Sequence, residues 1–450
     1  MKVFSNGLSC DLVDGSDTIV ARATAPGRGA LAVVRLSGQG VAGVTRAVCR
    51  HVDFERPRES QLVEVHGRGG EALDRAVVTV YRGPRSYTGE DMLEMVVHGS
   101  PFVVRALIDS CVAAGAREAA PGEFTRRAVA NGKLDLLQAE AIADLVQAET
   151  ESQARNARRQ LGGELSTQVG QLRGDMVELL AALEGSLEFA EERIGEAPEE
   201  LRARRDRCLA GIEDLLTTAV VGERLRNGVR VVIGGPPNSG KSTLFNYLLN
   251  EERAIVSPQE GTTRDLVGAA VELGGAVVEL VDTAGLRDET MDKLEAEGVR
   301  RARAALATAD VAVVLWPSDS PLAPSLPQGP QVVRIRSKAD LDVVGGGERG
   351  GEGWLRVSCV TGEGVEELGR RLTEAVAVEG RAEGGGVAIG ARHRVRLERA
   401  AEELRRCQVE HVELACEAVR WAQRELAEIT GEVVDEEVLG AIFARFCVGK

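Results

Sequence analysis

The first chemistry the chain offers lies in Gly235-Pro236-Pro237-Asn238-Ser239-Gly240-Lys241-Ser242. The spacing of its two glycines, lysine and serine is that of a phosphate-binding P-loop, whose backbone N–H groups turn inward on a polyphosphate. Lys241 can reach the β- and γ-phosphates, and the Ser242 hydroxyl can ligate Mg²⁺. Such a loop needs a strand before it and a helix after it, because the helix N-terminus adds its partial positive charge. Val231-Val232-Ile233 reads as the strand, and Thr243-Leu244-Phe245-Asn246-Tyr247-Leu248-Leu249 as the helix. A glycine-rich turn that matches by accident is a poor alternative in that context.

Four later stretches fall where a GTPase needs them. Ser257-Pro258-Gln259-Glu260-Gly261-Thr262-Thr263-Arg264-Asp265 is a switch candidate, with the Thr263 hydroxyl completing the Mg²⁺ shell. Asp282-Thr283-Ala284-Gly285 follows the strand Val277–Val281; Asp282 can hold Mg²⁺ through water and the Gly285 N–H can contact the γ-phosphate. Ser337-Lys338-Ala339-Asp340 stands in the place of the Asn-Lys-x-Asp guanine reader, and Ser358-Cys359-Val360-Thr361 suits the loop behind the base. Taken singly, each is also an ordinary surface turn. Together and in order they indicate a GTPase.

Two residues depart from the usual pattern. Ser337 is shorter than asparagine, so its tie to the P-loop, and guanine affinity with it, is expected to weaken. Leu286 stands where many small GTPases carry the glutamine that orients the attacking water. Another group must then position water and another cation must offset the transition-state charge, with Arg264 and Arg287 as candidates or as plain salt-bridge partners.

Composition sets the surroundings. A chain of 450 residues with 44% apolar content suggests about three folded domains, and a net charge of −15 argues against generic binding to nucleic acid. Any RNA contact must use a local basic patch; Arg155, Arg158 and Arg159 or the Arg392–Arg399 cluster are candidates, equally readable as solvated helix faces. Lysine occurs only at positions 2, 133, 241, 293, 338 and 450, so a lysine inside a motif is hard to ascribe to chance. The eight cysteines form no CxxC pair, which fits a reduced cytoplasmic compartment without zinc or disulfides. No apolar run suits a leader or a membrane span, so a soluble protein is expected.

In chain order, residues 1–16 read as a loose extension. Strands are expected at Thr18–Ala21, Ala30–Leu36, Leu62–Val65, Ala76–Val80 and Met92–Val97, with helices at Val41–Val48 and Pro101–Ala114. Two polar stretches stand out among them, Ser86–Asp91 and Pro121–Arg127. From Lys133 an apolar face recurs at helical spacing through Leu134, Leu137, Ala141, Leu145 and Ala148. Helix continues, interrupted by Gly162-Gly163, through Met176–Phe189 and Leu201–Leu216; a Gly-rich linker is expected at Glu379–Gly390, and one long amphipathic helix from Arg392 to Ile429. An amphipathic helix cannot stay buried alone, so the second helical stretch should pack on the first. The fold class is therefore α/β plus all-α. It comprises an N-terminal α/β domain (1–130), a helical domain in two parts (131–227 and 377–450), and an inserted Ras-like P-loop G domain (228–376).

The combined motifs resemble the MnmE (TrmE) tRNA-modification GTPases over nearly the whole chain. The resemblance rests on Pro26-Gly27-Arg28-Gly29, Thr88-Gly89-Glu90-Asp91, Pro121-Gly122-Glu123-Phe124, Lys133-Leu134-Asp135-Leu136, the G-domain motifs and the terminal Phe446-Cys447-Val448-Gly449-Lys450. It implies a homodimer whose N-terminal domain binds a 5-formyl- or 5,10-methylene-tetrahydrofolate through Arg35, Glu94, Lys133 and Lys450. It implies K⁺ held by Asn238, Ser257, Gln259 and Thr262, supplying the charge an arginine finger supplies elsewhere. Glu295 aligns with the glutamate that orients water, with Glu297 or Glu289 as alternatives. The implied activity is a K⁺-stimulated GTPase that works with an FAD-binding partner (MnmG, or GidA). Together they would add a carboxymethylaminomethyl or aminomethyl group at C5 of the wobble uridine, U34, of certain tRNAs. A ribosome-assembly GTPase is the alternative, for which no basic appendage is visible; a nucleotide-controlled dimerisation scaffold is a third, against which Thr263, Asp282 and Gly285 argue. Cys447 is placed either to take part in chemistry or to pack.

Overall fold

The computed structural model describes residues 17–188, 197–251, 253–254, 268–283, 304–341, 353–378 and 387–449. The chain divides into two compact units, Met1–Ala143 with Ala427–Lys450, and Asp144–Leu426. These units are coarser than the four segments expected from sequence, and residues 427–450 group with the N-terminal unit. Among the described residues no helix is long and apolar enough to cross a membrane.

The first unit is built on a six-stranded sheet. Its strands are β1 (Thr18–Arg22), β2 (Leu31–Ser37), β3 (Ser60–His66), β4 (Ala72–Tyr81), β5 (Met92–His98) and β6 (Ala116–Glu118), in the order β3-β4-β5-β2-β1-β6. All pairings are antiparallel except β1 with β6. Alternation along the strands sends Val34, Leu36, Val63, Val78, Val80, Leu93 and Met95 into one core with helices α1 (Val41–Val48) and α2 (Pro101–Ala113). The other face carries a cross-strand row, Leu62 beside Val77 beside Val96 beside Val33, of which Leu62 is 61% and Val77 40% exposed.

Two further helices, α3 (Glu123–Ala130) and α4 (Leu136–Gln147), follow the sheet. The polar stretch at Pro121–Arg127 becomes the start of α3, which sequence reading had not placed. The C-terminal segment packs here: Ile442, Phe443 and Phe446 share a core with Leu136 and Ala139, and Val448 bridges to Pro121.

The second unit holds helices α5 (Glu151–Leu161), α6 (Glu164–Glu188), α7 (Pro198–Thr217) and α8 (Ala219–Asn227), then a seven-stranded sheet. That sheet comprises β7 (Val229–Gly234), β8 (Arg253–Ala254), β9 (Gly268–Leu273), β10 (Ala276–Asp282), β11 (Val311–Pro317), β12 (Gln331–Ser337) and β13 (Leu355–Val357), in the order β13-β12-β11-β7-β10-β9-β8. β10, β7, β11, β12 and β13 run parallel. Their near-continuous Val, Ile and Leu runs suit strands covered on both faces. Helix α9 (Lys241–Glu251) follows the P-loop and α10 (Val365–Val376) follows β13.

One long helix after residue 391 is not what forms. The structure has α11 (Ala391–Arg406) and α12 (Val412–Thr430), followed by α13 (Glu436–Phe443). Cys407 turns out of α11 with ψ 101°, and Arg396 then reaches Glu425 at 2.9 Å. A straight helix would hold residues that far apart in sequence roughly 40 Å from each other. The break folds the stretch into a hairpin, and α11 packs on α7 and α8. The helical domain is thus discontinuous, with the G domain inserted between its parts.

The end of the expected linker is also more ordered than its glycines suggest. Val387, Ala388 and Ile389 are buried. The Ala388 N–H donates to Asn156 Oδ1 at 3.0 Å, and Gln160 Nε2 donates to the Ala388 carbonyl at 2.7 Å. Residues 379–386 lie outside the described residues.

Candidate active site and N-terminal site

The nucleotide motifs meet at the carboxyl ends of the parallel strands, the edge where open α/β sheets bind ligands. Gly235, which follows β7, has φ 152°, and a Cβ there would lie 2.8 Å from the Leu315 carbonyl. Only glycine lets the loop start that close to β11. Asn238 is exposed in a left-handed conformation with φ 58°, a geometry asparagine tolerates better than most residues. Lys241 opens α9 and its ammonium donates to the carbonyls of Gly235 at 3.2 Å and Pro236 at 2.9 Å, so it arches over the loop. Ser239 is fully buried, and its hydroxyl has no hydrogen-bond partner among the described residues. An orphaned buried hydroxyl in a turn just before a helix N-terminus fits an anion site.

Asp282 ends β10 and is 4% exposed; its Oδ2 accepts from the Ser242 hydroxyl at 2.8 Å. The Thr283 hydroxyl donates to the Ile233 carbonyl at 2.8 Å and fastens this motif to β7. The donor set is all oxygen, which suits a hard cation shared with substrate phosphates. Ser242 and Asp282 would hold it.

The loop expected to read the base is anchored despite its serine. The Ser337 hydroxyl donates to the Ser239 carbonyl at 2.7 Å, so the expected loss of the tie to the P-loop does not occur. The shorter side chain suffices because Ser337 ends β12 beside the loop and is itself 7% exposed. Asp340 Oδ1 accepts from the Ser358 hydroxyl at 2.6 Å, and that oxygen in turn accepts from the Val360 and Thr361 N–H groups. Together these loops line a cavity of ≈ 260 Å³ with Ser239, Ser337, Lys338, Asp340, Cys359 and Val360 on its wall. Burial, and next the nearby Asp340 carboxylate, push the Cys359 thiol up, so it lines the cavity as a neutral group.

Of the remaining expected nucleotide and potassium residues, Ser257, Pro258, Gln259, Glu260, Gly261, Thr262, Thr263, Ala284 and Gly285 lie outside the described residues. So do Arg264, Leu286, Arg287, Glu289, Glu295 and Glu297.

The N-terminal unit brings a second group together. Arg35 and Glu94 are register partners on β2 and β5; the guanidinium donates to Glu94 Oε1 from Nε at 2.9 Å and from Nη2 at 2.7 Å. Its Nη1 donates to the Gly449 carbonyl at 3.2 Å, which places the C-terminal tail at the pair, while Lys450 lies outside the described residues. Tyr81 donates to the other Glu94 oxygen at 3.2 Å, and the Tyr87 and Phe124 rings flank Arg35 at 5.6 and 5.7 Å. Lys133 is exposed, and its ammonium donates to the Pro84 carbonyl at 3.0 Å. Sequence reasoning missed Tyr81, Tyr87 and Phe124 as neighbours of Arg35, although the polar stretches that carry Tyr87 and Phe124 had stood out.

Those stretches are joined by a buried ionic network. Arg127, 2% exposed, donates to Glu90, Glu123 and Asp17, while Ser37 links Thr88 to Glu90. Burial alone would raise the Glu123 carboxyl, but hydrogen bonds from Arg117, the Ala120 N–H and Arg127 hold it at about 2.

Comparison with known proteins agrees in its extent. A family model described as the MnmE helical domain matches residues 136–447, and one described as GTP-binding protein TrmE N-terminus matches residues 18–133. The tRNA modification GTPase MnmE of Halorhodospira halophila (strain DSM 244 / SL1) is 44% identical, over 97% of this chain and 96% of the relative. That of Phenylobacterium zucineum (strain HLK1) is 44% identical, over 97% of this chain and 100% of the relative. That of Aquifex aeolicus (strain VF5) is 40% identical, over 96% and 100%.

Proposed function

The chain belongs to the MnmE family of tRNA modification GTPases and is a GTP hydrolase involved in tRNA modification, and on that premise we propose the following cycle. GTP binds with its base in the cavity beside Asp340 and its phosphates over the P-loop, where Ser242, Asp282 and Thr263 would hold Mg²⁺. Asn238, with Ser257, Gln259 and Thr262, would hold K⁺, which would supply positive charge at the phosphates. Glu295 orients water, and Gly285 contacts the γ-phosphate. Hydrolysis gates a conformational change and is not itself the bond-making step on RNA.

The observation that carries the nucleotide part is the convergence of Lys241, Ser242, Asp282, Ser337 and Asp340 on one strand edge. Lys241 places an ammonium over the loop, and Asp282 holds the Ser242 hydroxyl, so that these two residues would hold a hard cation beside the phosphates. A bound Mg²⁺ would supply charge neutralisation on those oxygens.

On the RNA side, the protein acts as a homodimer with an FAD-binding partner (MnmG, or GidA) at C5 of the wobble uridine U34 of certain tRNAs. A formyl- or methylene-tetrahydrofolate at Arg35, Glu94, Lys133 and Lys450 supplies the one-carbon unit. Arg35 and Lys133 suit the carboxylates of such a ligand, and Glu94 suits the donors of its pterin edge. The apolar row Leu62, Val77, Val96 and Val33, exposed at Leu62 and Val77 and half-buried at the other two, supports pairing through this sheet face. The experiment is GTP turnover by the full chain in K⁺ against Na⁺ at matched ionic strength. Faster turnover in K⁺ is expected; equal rates in both salts would reject the potassium assignment.

A further inference from the structure

The polar groups of Ser337 and Asp340, two points on the wall of the base cavity, can be counted hydrogen by hydrogen. At the first, the Ser337 hydroxyl donates to the Ser239 carbonyl at 2.7 Å. A hydroxyl has one hydrogen and a carbonyl has none, so Ser337 is the donor there and keeps only acceptor capacity. An asparagine at the same place would offer two N–H groups and a carbonyl, enough to hold the P-loop and still donate into the cavity. Lys338, the next residue, has its ammonium 3.2 Å from Asp319 Oδ2.

At the second, Asp340 is an acceptor whose Oδ1 already takes the Ser358 hydrogen at 2.6 Å. Ser358 accepts from two backbone N–H groups, at 3.3 and 3.2 Å, so its oxygen is held and the carboxylate with it. That point therefore receives donors, and guanine offers N1–H and the N2 amino group on its Watson–Crick edge. Its N7 and O6, which form the adjoining Hoogsteen edge, are acceptors that need donors.

We infer that this site reads guanine through the N1/N2 edge at Asp340 and that Ser337, its one hydrogen engaged by the P-loop, gives guanine N7 no hydrogen bond. Ser337 is thus a specificity-determining residue: it keeps the base loop attached while removing one point of discrimination. The site tolerates purine nucleotides altered at N7 and remains strict at N2. This rests on guanine occupying the cavity that Ser337 and Asp340 line.

The test is calorimetric titration of the full chain with GDP, 7-deaza-GDP (C–H in place of N7) and IDP (no N2 amino group). 7-Deaza-GDP is expected to bind within about twofold of GDP, and IDP roughly tenfold or more weakly, as fits one lost hydrogen bond to a charged group. The Ser337→Asn variant is expected to favour GDP over 7-deaza-GDP by roughly fivefold through a restored N7 donor. If that variant does not fold, the comparison on the unaltered protein decides alone. A loss of about tenfold or more with 7-deaza-GDP on the unaltered protein overturns the inference, because a donor to N7 must then exist. Asp340→Asn with XDP separates this from the premise. A switch of preference towards XDP together with a strong 7-deaza penalty rejects only the N7 inference. Failure to switch rejects the base assignment and the inference with it.

Discussion

Ser242, the second residue of α9, donates its hydroxyl hydrogen to Asp282 at the end of β10, 2.8 Å away and 40 residues later in the chain. One contact thus joins the P-loop helix to the adjacent strand at the place proposed for Mg²⁺. It sets both oxygens on a common centre before any ligand is considered.

Asp282→Asn keeps the size of the side chain and removes its charge. Mg²⁺ affinity, read as the metal concentration giving half-maximal GTP turnover, is expected to weaken by roughly 10–100-fold. An unchanged Mg²⁺ dependence would remove Asp282 from the metal site.

Ser337→Ala leaves the Ser239 carbonyl without its partner at a position where both residues are buried. The cost is expected to be about 1–3 kcal/mol. It should appear as weaker GDP binding together with a lower unfolding midpoint. Binding indistinguishable from that of the unaltered chain would mean the tie is dispensable.

At the N-terminal site, Arg35→Ala removes the guanidinium that faces Glu94 and Gly449. Titration with 5-formyl-tetrahydrofolate should show affinity reduced by roughly 10–100-fold, the worth of a charged hydrogen bond. Deletion of Lys450 should weaken the same binding. Unaltered affinity in both variants rejects the folate assignment.

The ionic network around Arg127 gives the N-terminal unit an acid limit. Glu123 is held at about 2, below its ordinary 4.5. A depressed carboxyl stabilises the fold fully above its unfolded value and loses that contribution as pH falls from about 4.5 towards 2, up to about 3 kcal/mol. Chemical denaturation between pH 5 and 2.5 should show this decline. In Glu123→Gln the protein should be weaker near neutrality, where Arg127 loses a partner, and should decline less on acidification.

Gly222 in α8 sits under the Ile389 carbonyl, and an added Cβ would lie 2.0 Å from that oxygen. Gly222→Ala is expected to destabilise the Asp144–Leu426 unit by about 1–3 kcal/mol through forced displacement of the 387–390 segment. Gly170→Ala, where nothing lies within 4 Å, is the control and should be neutral or slightly stabilising.

What was legible in the sequence was local. The P-loop shows because its glycines, lysine and serine must be close in sequence to surround a phosphate. Strands β1 to β5, β7, β10 and β12 show because a period of two, or an unbroken apolar run, is imposed by burial of neighbouring residues, whereas β6, β8, β9 and β11 were not placed. Asp282 and Ser337 show because each ends such a run, and Ser358 because it follows one, at the edge where open α/β sheets bind ligands.

The tertiary structure decided what depends on distance between segments. Side-chain length alone suggested that Ser337 would lose the P-loop, yet reach depends on where β12 ends relative to Ser239, and the sheet brings them to 2.7 Å. The amphipathic pattern from Arg392 to Ile429 runs on without a break, but Arg396 and Glu425 meet only because the chain turns at Cys407. Periodicity records which face is buried, and it carries no information on the direction of the next helix. Arg35, Glu94 and the Gly449 carbonyl likewise come together from both ends of the chain. Spacing in sequence determined each chemical part, and only the packing of remote segments determined which parts face one another.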